Sequence, residues 1–197
     1  MFQIRVHGRG GQGVVTAADM LAIAAFLEGK YAQAFPSFGS ERMGAPVVAF
    51  CRISSEEIRL REPVLEPEAL IIQDSTLFSS IDVFEGLSPN GYILINSKKS
   101  PTELKINERL RNFLPQRILS LEATELALEY VGRPIPNAVL LGAFAAQTGI
   151  LKLESVKAAI SEKFSGSIGE KNITAAVAAF EKVQQMERCH DQGKDLC

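Results

Sequence analysis

From His7 to Thr16 the chain reads His-Gly-Arg-Gly-Gly-Gln-Gly-Val-Val-Thr, so four of the six residues from Gly8 to Gly13 carry no Cβ. Gly8, Gly10 and Gly13 fit the pattern G-x-G-x-x-G. Before them Phe2 to Val6 alternates Phe, Ile and Val with Gln and Arg, the period of a strand. After them Val14 to Phe26 is rich in Ala, Leu, Ile and Met, which suits a helix. Strand, glycine turn and helix in that order begin a doubly wound α/β sheet, so a Rossmann-like fold is expected.

Glycines permit positive φ and close approach of the backbone, and the start of a helix presents unpaired N–H groups that favour an anion. Arg9, Gln12 and Thr16 add side-chain donors, so Gly8, Arg9, Gly10, Gly11, Gln12, Gly13 and Thr16 are the candidate residues for holding a phosphate. The alternative is that the glycines only allow a tight turn and close packing of helix on sheet. A self-sufficient oxidoreductase using a dinucleotide is a further alternative. It needs an acid about 20 residues beyond the glycines, at the end of the second strand. That strand is expected at Tyr31 to Phe35, and it ends in Ala34-Phe35-Pro36-Ser37 without one.

A chain of 197 residues, 46% hydrophobic, can bury a full core; one domain over residues 1–188 with a flexible tail at 189–197 is expected. A net charge of −2 gives no general attraction for nucleic acid or an anionic membrane. No apolar run is long enough to cross a bilayer. Cys51, Cys189 and Cys197 show neither the spacing of a disulfide framework nor a metal-binding or iron–sulfur motif; no signal peptide and a cytoplasmic location are expected. His7 has no Ser, Cys or carboxylate at motif spacing, so no catalytic residue is assigned.

Farther along, Phe35 to Pro46 combines two prolines, two glycines, two phenylalanines, Met43 and the pair Glu41 and Arg42, an expensive set to display on a plain loop. Val47 to Ser54 reads as a strand and Glu57 to Arg61 as its hairpin partner, giving a mixed sheet. Further strands are expected at Ala69 to Gln73, Gly91 to Asn96 and Arg117 to Leu121. Asp74 either faces the cleft of the glycine turn or caps the next short helix. Helices are expected at Glu108 to Leu114, Ala123 to Val131, Ala138 to Thr148 capped by Asn137, Leu153 to Phe164, and Lys171 to Arg188. The segment Phe164 to Asn172 reads as a connecting loop. The low charge of the first helix suggests burial on two sides, one of them against a partner.

Three stretches together resemble the gamma subunit of 2-oxoacid:ferredoxin oxidoreductases, most nearly the pyruvate type. They are Gly8 to Ala18, Gln33 to Val47 and Asn137 to Ala146 with Leu140-Leu141-Gly142-Ala143-Phe144. One departure is Met43, where the family commonly has a second arginine. The resemblance implies a subunit of a complex that converts pyruvate and coenzyme A to acetyl-CoA and carbon dioxide while reducing ferredoxin, or the reverse. A gamma subunit for 2-oxoglutarate or 2-oxoisovalerate is the alternative. It also implies alpha, beta and iron–sulfur delta companions that hold thiamine diphosphate, Mg and the clusters, with coenzyme A enclosed at a subunit interface. Gly8 to Thr16 and the loop Ser37 to Arg42, including Ser37, Ser40, Glu41 and Arg42, would face the coenzyme's phosphates or an adjoining subunit.

Overall fold

The computed structural model describes residues 1–37 and 43–191. In chain order the elements are β1 (Phe2–Arg9), α1 (Val14–Leu27), β2 (Tyr31–Pro36), β3 (Pro46–Ser54), β4 (Ala69–Ile72), β5 (Tyr92–Asn96), α2 (Asn107–Leu110), β6 (Ile118–Leu121), α3 (Ala123–Val131), α4 (Asn137–Thr148), α5 (Leu153–Lys163) and α6 (Gly166–Asp191). Short 3-10 helices follow β4 at Ser75–Ser79 and precede β6 at Pro115–Arg117.

The strands form one mixed sheet in the order β2-β3-β1-β4-β5-β6. β1, β4, β5 and β6 are parallel, while β3 runs antiparallel to both β1 and β2. The α/β class, the Rossmann-like parallel part and the antiparallel section therefore agree with what the sequence predicts. The hairpin does not. The partner of β3 is β2, and residues 57–61 are not a strand. Both edges of β3 are already occupied, by β2 and β1, so the alternating run Glu57 to Arg61 has no ladder to join.

Side-chain alternation divides the core between the two faces of the sheet. Ile4, Val6, Ala69, Ile71 and Leu94 point into a core shared with α1, α3, α4, α5 and α6. Leu70, Ile72, Ile93 and Ile95 point the other way, under Leu77, Phe78, Val83 and Phe84 of the chain that follows β4. The weak charge of α1 has an internal explanation: it packs on the sheet with one side and against α5 with another, and no partner is needed to account for its buried residues.

Two further departures come from glycines and a polar side chain. α6 begins at Gly166, so Ser167 to Glu170, expected as loop, is helix, ahead of the start expected at Lys171. At Gly169 a Cβ would collide with the carbonyl of Phe164, so this glycine serves tight packing of the α5–α6 junction. Asn137 is the first residue of α4 and does not cap it; Pro136 holds the cap position.

Candidate functional site

β1 runs through Gly8 and ends only at Arg9, because β3 pairs with it as far as the couple Arg9 and Pro46. Gly8 is thus a strand residue, and its missing side chain leaves room for α1: a Cβ there would lie 2.6 Å from Val14 Cγ2 and 3.1 Å from Gln73 Oε1. The turn proper is Gly10 to Gly13. Gly11 and Gly13 have φ of 92° and 74°, in the left-handed region that glycine takes without strain. Gly10 exchanges backbone hydrogen bonds with the segment before β3, donating to Ala45 O at 2.9 Å and accepting from Gly44 N at 3.1 Å.

The turn is closed by side chains from three elements. Gln12 Oε1 accepts from Arg9 N at 2.7 Å, and Gln12 Nε2 donates to Asp74 Oδ2 at 2.8 Å. Arg9 donates from Nε and Nη2 to Thr76 Oγ1 at 3.0 and 2.7 Å, and its Nε lies 3.3 Å from Asp74 Oδ2. Asp74 Oδ1 accepts from Thr76 N at 2.9 Å, so this residue both caps the 3-10 helix and faces the glycine turn. Burial pushes the Asp74 carboxyl up. The bonds from Thr76 and Gln12, with the charge of Arg9, outweigh it and hold the group below the usual carboxylate range.

A second clamp grips the helix end of the turn. Asn137, only 3% exposed, donates from Nδ2 to Gly13 O at 3.1 Å and accepts from Gln73 Nε2 at 3.0 Å. A Cβ on Gly13 would run into that amide. Asn137 thereby locks α4, β4 and the start of α1 together. Asn96 does the same one strand over, donating to Gln73 O and Thr124 Oγ1, each at 2.8 Å. Gln73, Asn96 and Asn137 are not among the site residues that the sequence predicts. The available signal is a polar side chain at the end of an apolar strand or inside an apolar helix, where burial demands a partner.

These groups border a polar crevice of about 560 Å³ at the carboxyl ends of β4 and β5, lined in part by Gln12, Asp74, Thr76, Asn96 and Lys99. The chain leaves β1 toward β2 on one side and leaves β4 toward β5 on the other, so the topological switch point, where open α/β sheets bind ligands, lies between β1 and β4, and the crevice reaches it through Gln12 and Asp74. Lys98, at the same rim, pairs with Glu125 at 2.9 Å. On the far side of the turn an apolar pouch of about 510 Å³ is lined by Val14, Val15, Met43 and Val47. Met43 is 89% exposed, yet its sulfur sits directly over Gly11.

No side chain among the described residues caps α1, and Gly13 O takes the ordinary helical bond from Ala17 N at 3.0 Å besides that from Asn137. The first N–H groups of the helix therefore stay open beside Gly10 to Gly13, with Thr16 in the first turn. The structure brings Gly8 to Gly13 and Thr16 together. Ser37 is apart from them, at the end of β2 beyond β3, where its N–H bonds Val48 O at 2.8 Å. Ser40, Glu41 and Arg42 lie outside the described residues.

The strand beside β1 on the α1 side is β3, not β2 as a dinucleotide-binding unit requires. Near the glycine turn β3 offers Pro46 and Val47, and neither can bind a ribose hydroxyl through an acidic side chain. His7, two residues before Arg9 on the same face of β1, is 4% exposed between Val48 and Ile72, with neither ring nitrogen hydrogen-bonded among the described residues. Burial, reinforced by the charge of Arg5, pushes its imidazole down to about 3. Cys51 is fully buried, and burial pushes its thiol up, which agrees with a packing role. Among the described residues no three His, Cys, Asp or Glu side chains are grouped to hold a metal ion, and no helix is long and apolar enough to cross a membrane.

Comparison with known proteins agrees with this architecture. The family model described as pyruvate ferredoxin/flavodoxin oxidoreductase matches residues 3–182. The pyruvate/ketoisovalerate oxidoreductases common subunit gamma of Pyrococcus abyssi is 50% identical over 187 residues, covering 95% of this chain and 100% of that protein. Pyruvate synthase subunit PorC of Methanocaldococcus jannaschii is 48% identical over 183 residues, 93% of this chain and 97% of that one. The crystal structure of pyruvate oxidoreductase subunit PORC from Thermotoga maritima superposes with a TM-score of 0.78 at 38% identity, covering 91% of this chain and 95% of that one. The chain belongs to the pyruvate ferredoxin/flavodoxin oxidoreductase family, as a gamma-type subunit.

Proposed function

We propose that this chain is a non-catalytic wall of a pyruvate:ferredoxin oxidoreductase complex, working in the cytoplasm with alpha, beta and delta companions. The companions hold thiamine diphosphate, Mg and the iron–sulfur clusters, and pass electrons to ferredoxin. In this reading the complex takes pyruvate and coenzyme A to acetyl-CoA and carbon dioxide, or runs the reverse reaction. The observation that carries it is the open glycine turn at the start of α1, beside the polar crevice at the ends of β4 and β5. Such a turn binds an anionic group through its backbone N–H groups.

The turn and its brace are assigned to the coenzyme's phosphates. Gly10, Gly11 and Gly13 supply close backbone approach, and Thr16 a hydroxyl in the first helical turn. Arg9 and Gln12 are tied to Asp74 and Thr76, so they shape the turn and screen the carboxylate from the anion. Ser37 and, in sequence, Ser40, Glu41 and Arg42 belong to the segment expected to meet the adjoining subunit.

In the assembled complex, Arg9→Ala and Gln12→Ala are expected to raise the KM for coenzyme A about tenfold, because the turn loses its brace and Asp74 is left unscreened beside the anion, with kcat little changed. An unchanged KM in both variants would mean that the turn touches only protein. The choice of 2-oxoacid is assigned to the companions. In support, the Pyrococcus abyssi relative is named as common to pyruvate and ketoisovalerate oxidoreductases. Exchanging the catalytic companions should switch the substrate while this chain stays the same.

A further inference from the structure

β2 is the last strand on its side of the sheet, and among the described residues nothing pairs with its outer edge. Its six residues, Tyr-Ala-Gln-Ala-Phe-Pro, carry no charge. Open edges usually bear lysines, bulges or a cover that deter pairing; here the deterrent is Pro36 alone, at one end. Ser37 N bonds Val48 O, and the ladder alternates from there, so Phe35, Gln33 and Tyr31 direct their backbone groups at β3. Ala34 and Ala32 therefore direct theirs outward, with no strand beside them among the described residues. Pro36 shares that outward phase, the one place where its missing N–H costs the ladder nothing.

We propose that this edge joins two copies of the chain, β2 pairing antiparallel with the partner's β2 about a two-fold axis at Gln33, so that the sheet runs on from one protomer into its partner. The register follows from the available groups. Setting Ala32 against the partner's Ala34 uses every open N–H and carbonyl of both residues on both copies. Sliding the pairing one way brings in Lys30, whose N–H is already given to Ala25 O at 3.1 Å. Sliding it the other way brings in Pro36, which has no N–H.

The same register matches the side chains. Tyr31, 52% exposed in the single chain, falls opposite the partner's Phe35, and Gln33 opposite the partner's Gln33. These are non-hydrogen-bonded positions, where cross-strand side chains stand closest and aromatic pairs are favourable. On the other face of the strand α1 adds a second layer. Val15, Ala22 and Phe26 share one side of the helix, and Val15 borders the pouch with Met43 and Val47, so that side looks toward the β2–β3 edge. Phe26 is 71% exposed there, the kind of apolar group that a second copy would cover. No charge on the strand opposes the approach, and the pairing is independent of where coenzyme A binds.

Sedimentation of the full chain at about 100 µM is expected to give twice the 21.4 kDa chain mass, dissociating on dilution. Gln33→Glu keeps an acceptor for Arg52 Nη1 within each copy but sets like charges opposite each other on the two-fold, and should weaken the dimer at least tenfold. Gln33→Cys should cross-link two copies through position 33 under mild oxidation, since non-hydrogen-bonded pairs meet disulfide spacing, whereas Ala32→Cys should not. A wild-type chain that stays monomeric at that concentration overturns the proposal. So does a dimer that Gln33→Glu leaves intact or that Gln33→Cys fails to cross-link.

Discussion

Replacing Gly142 by valine is expected to lower the melting temperature of the chain by about 10 °C or to prevent folding, because two helix backbones touch at that residue. α4 is buried from Asn137 to Ala145, held between the sheet and α6. The contact with α6 is backbone on backbone: a Cβ at position 142 would collide with the Ala176 carbonyl, in a stretch of α6 where Ala175, Ala176 and Ala179 are all fully buried. A backbone carbonyl in mid-helix cannot swing aside, so α6 has to move outward and uncover the alanines it packs on. Overpacking of this kind costs about 3 kcal/mol, a large share of a stability of about 5–15 kcal/mol. Differential scanning calorimetry of Gly142→Ala and Gly142→Val should show graded losses. A melting temperature unchanged in both would mean that α4 and α6 are less tightly joined in solution.

Acidification should destabilise the protein well above the range in which carboxylates titrate, and His7 is the reason. In the folded chain its imidazole stays neutral down to about 3, while in the unfolded chain it takes up a proton near 6.5. Between those values the unfolded state holds the extra proton, so stability is complete above pH 6.5 and falls as the pH is lowered toward 3. One proton corresponds to about 1.4 kcal/mol per pH unit, so wild type should lose roughly 2 kcal/mol between pH 6.5 and 4.5 from this source. His7→Leu places an apolar side chain between Val48 and Ile72 and should flatten the profile over that interval. Urea titrations of both proteins at the two pH values measure the difference. Parallel losses in wild type and variant would show that His7 is solvated or hydrogen-bonded in solution.

Local pattern alone makes much of this legible. The alternation of Phe2 to Val6, the glycines and the alanine-rich run locate β1, the turn and α1, because each signal belongs to contiguous residues. Ala123 to Val131 is legible for the same reason, with a C-terminal Gly132 at φ 79°. What pairs with what is harder to read. Glu57 to Arg61 has strand alternation, but whether it joins a sheet depends on a free edge, and β2 takes the edge of β3. β1 reaches past its apolar run to Arg9 only because β3 offers backbone partners up to Pro46. Asn137 resembles a cap from its place before an apolar run; its amide instead bridges Gly13 and Gln73, residues 124 and 64 positions away. The brace Arg9, Gln12, Asp74 and Thr76 likewise joins segments more than 60 residues apart in sequence. The glycine motif names half of it, and the fold supplies the rest.

Whether this polypeptide only shapes and encloses a reaction carried out by its companions is decided by pyruvate-dependent reduction of a viologen dye. The assay is run with coenzyme A on the purified chain, and then on the chain reassembled with alpha, beta and delta subunits. No turnover from the chain alone and full turnover from the assembly is the expected outcome; turnover by the isolated chain would contradict it.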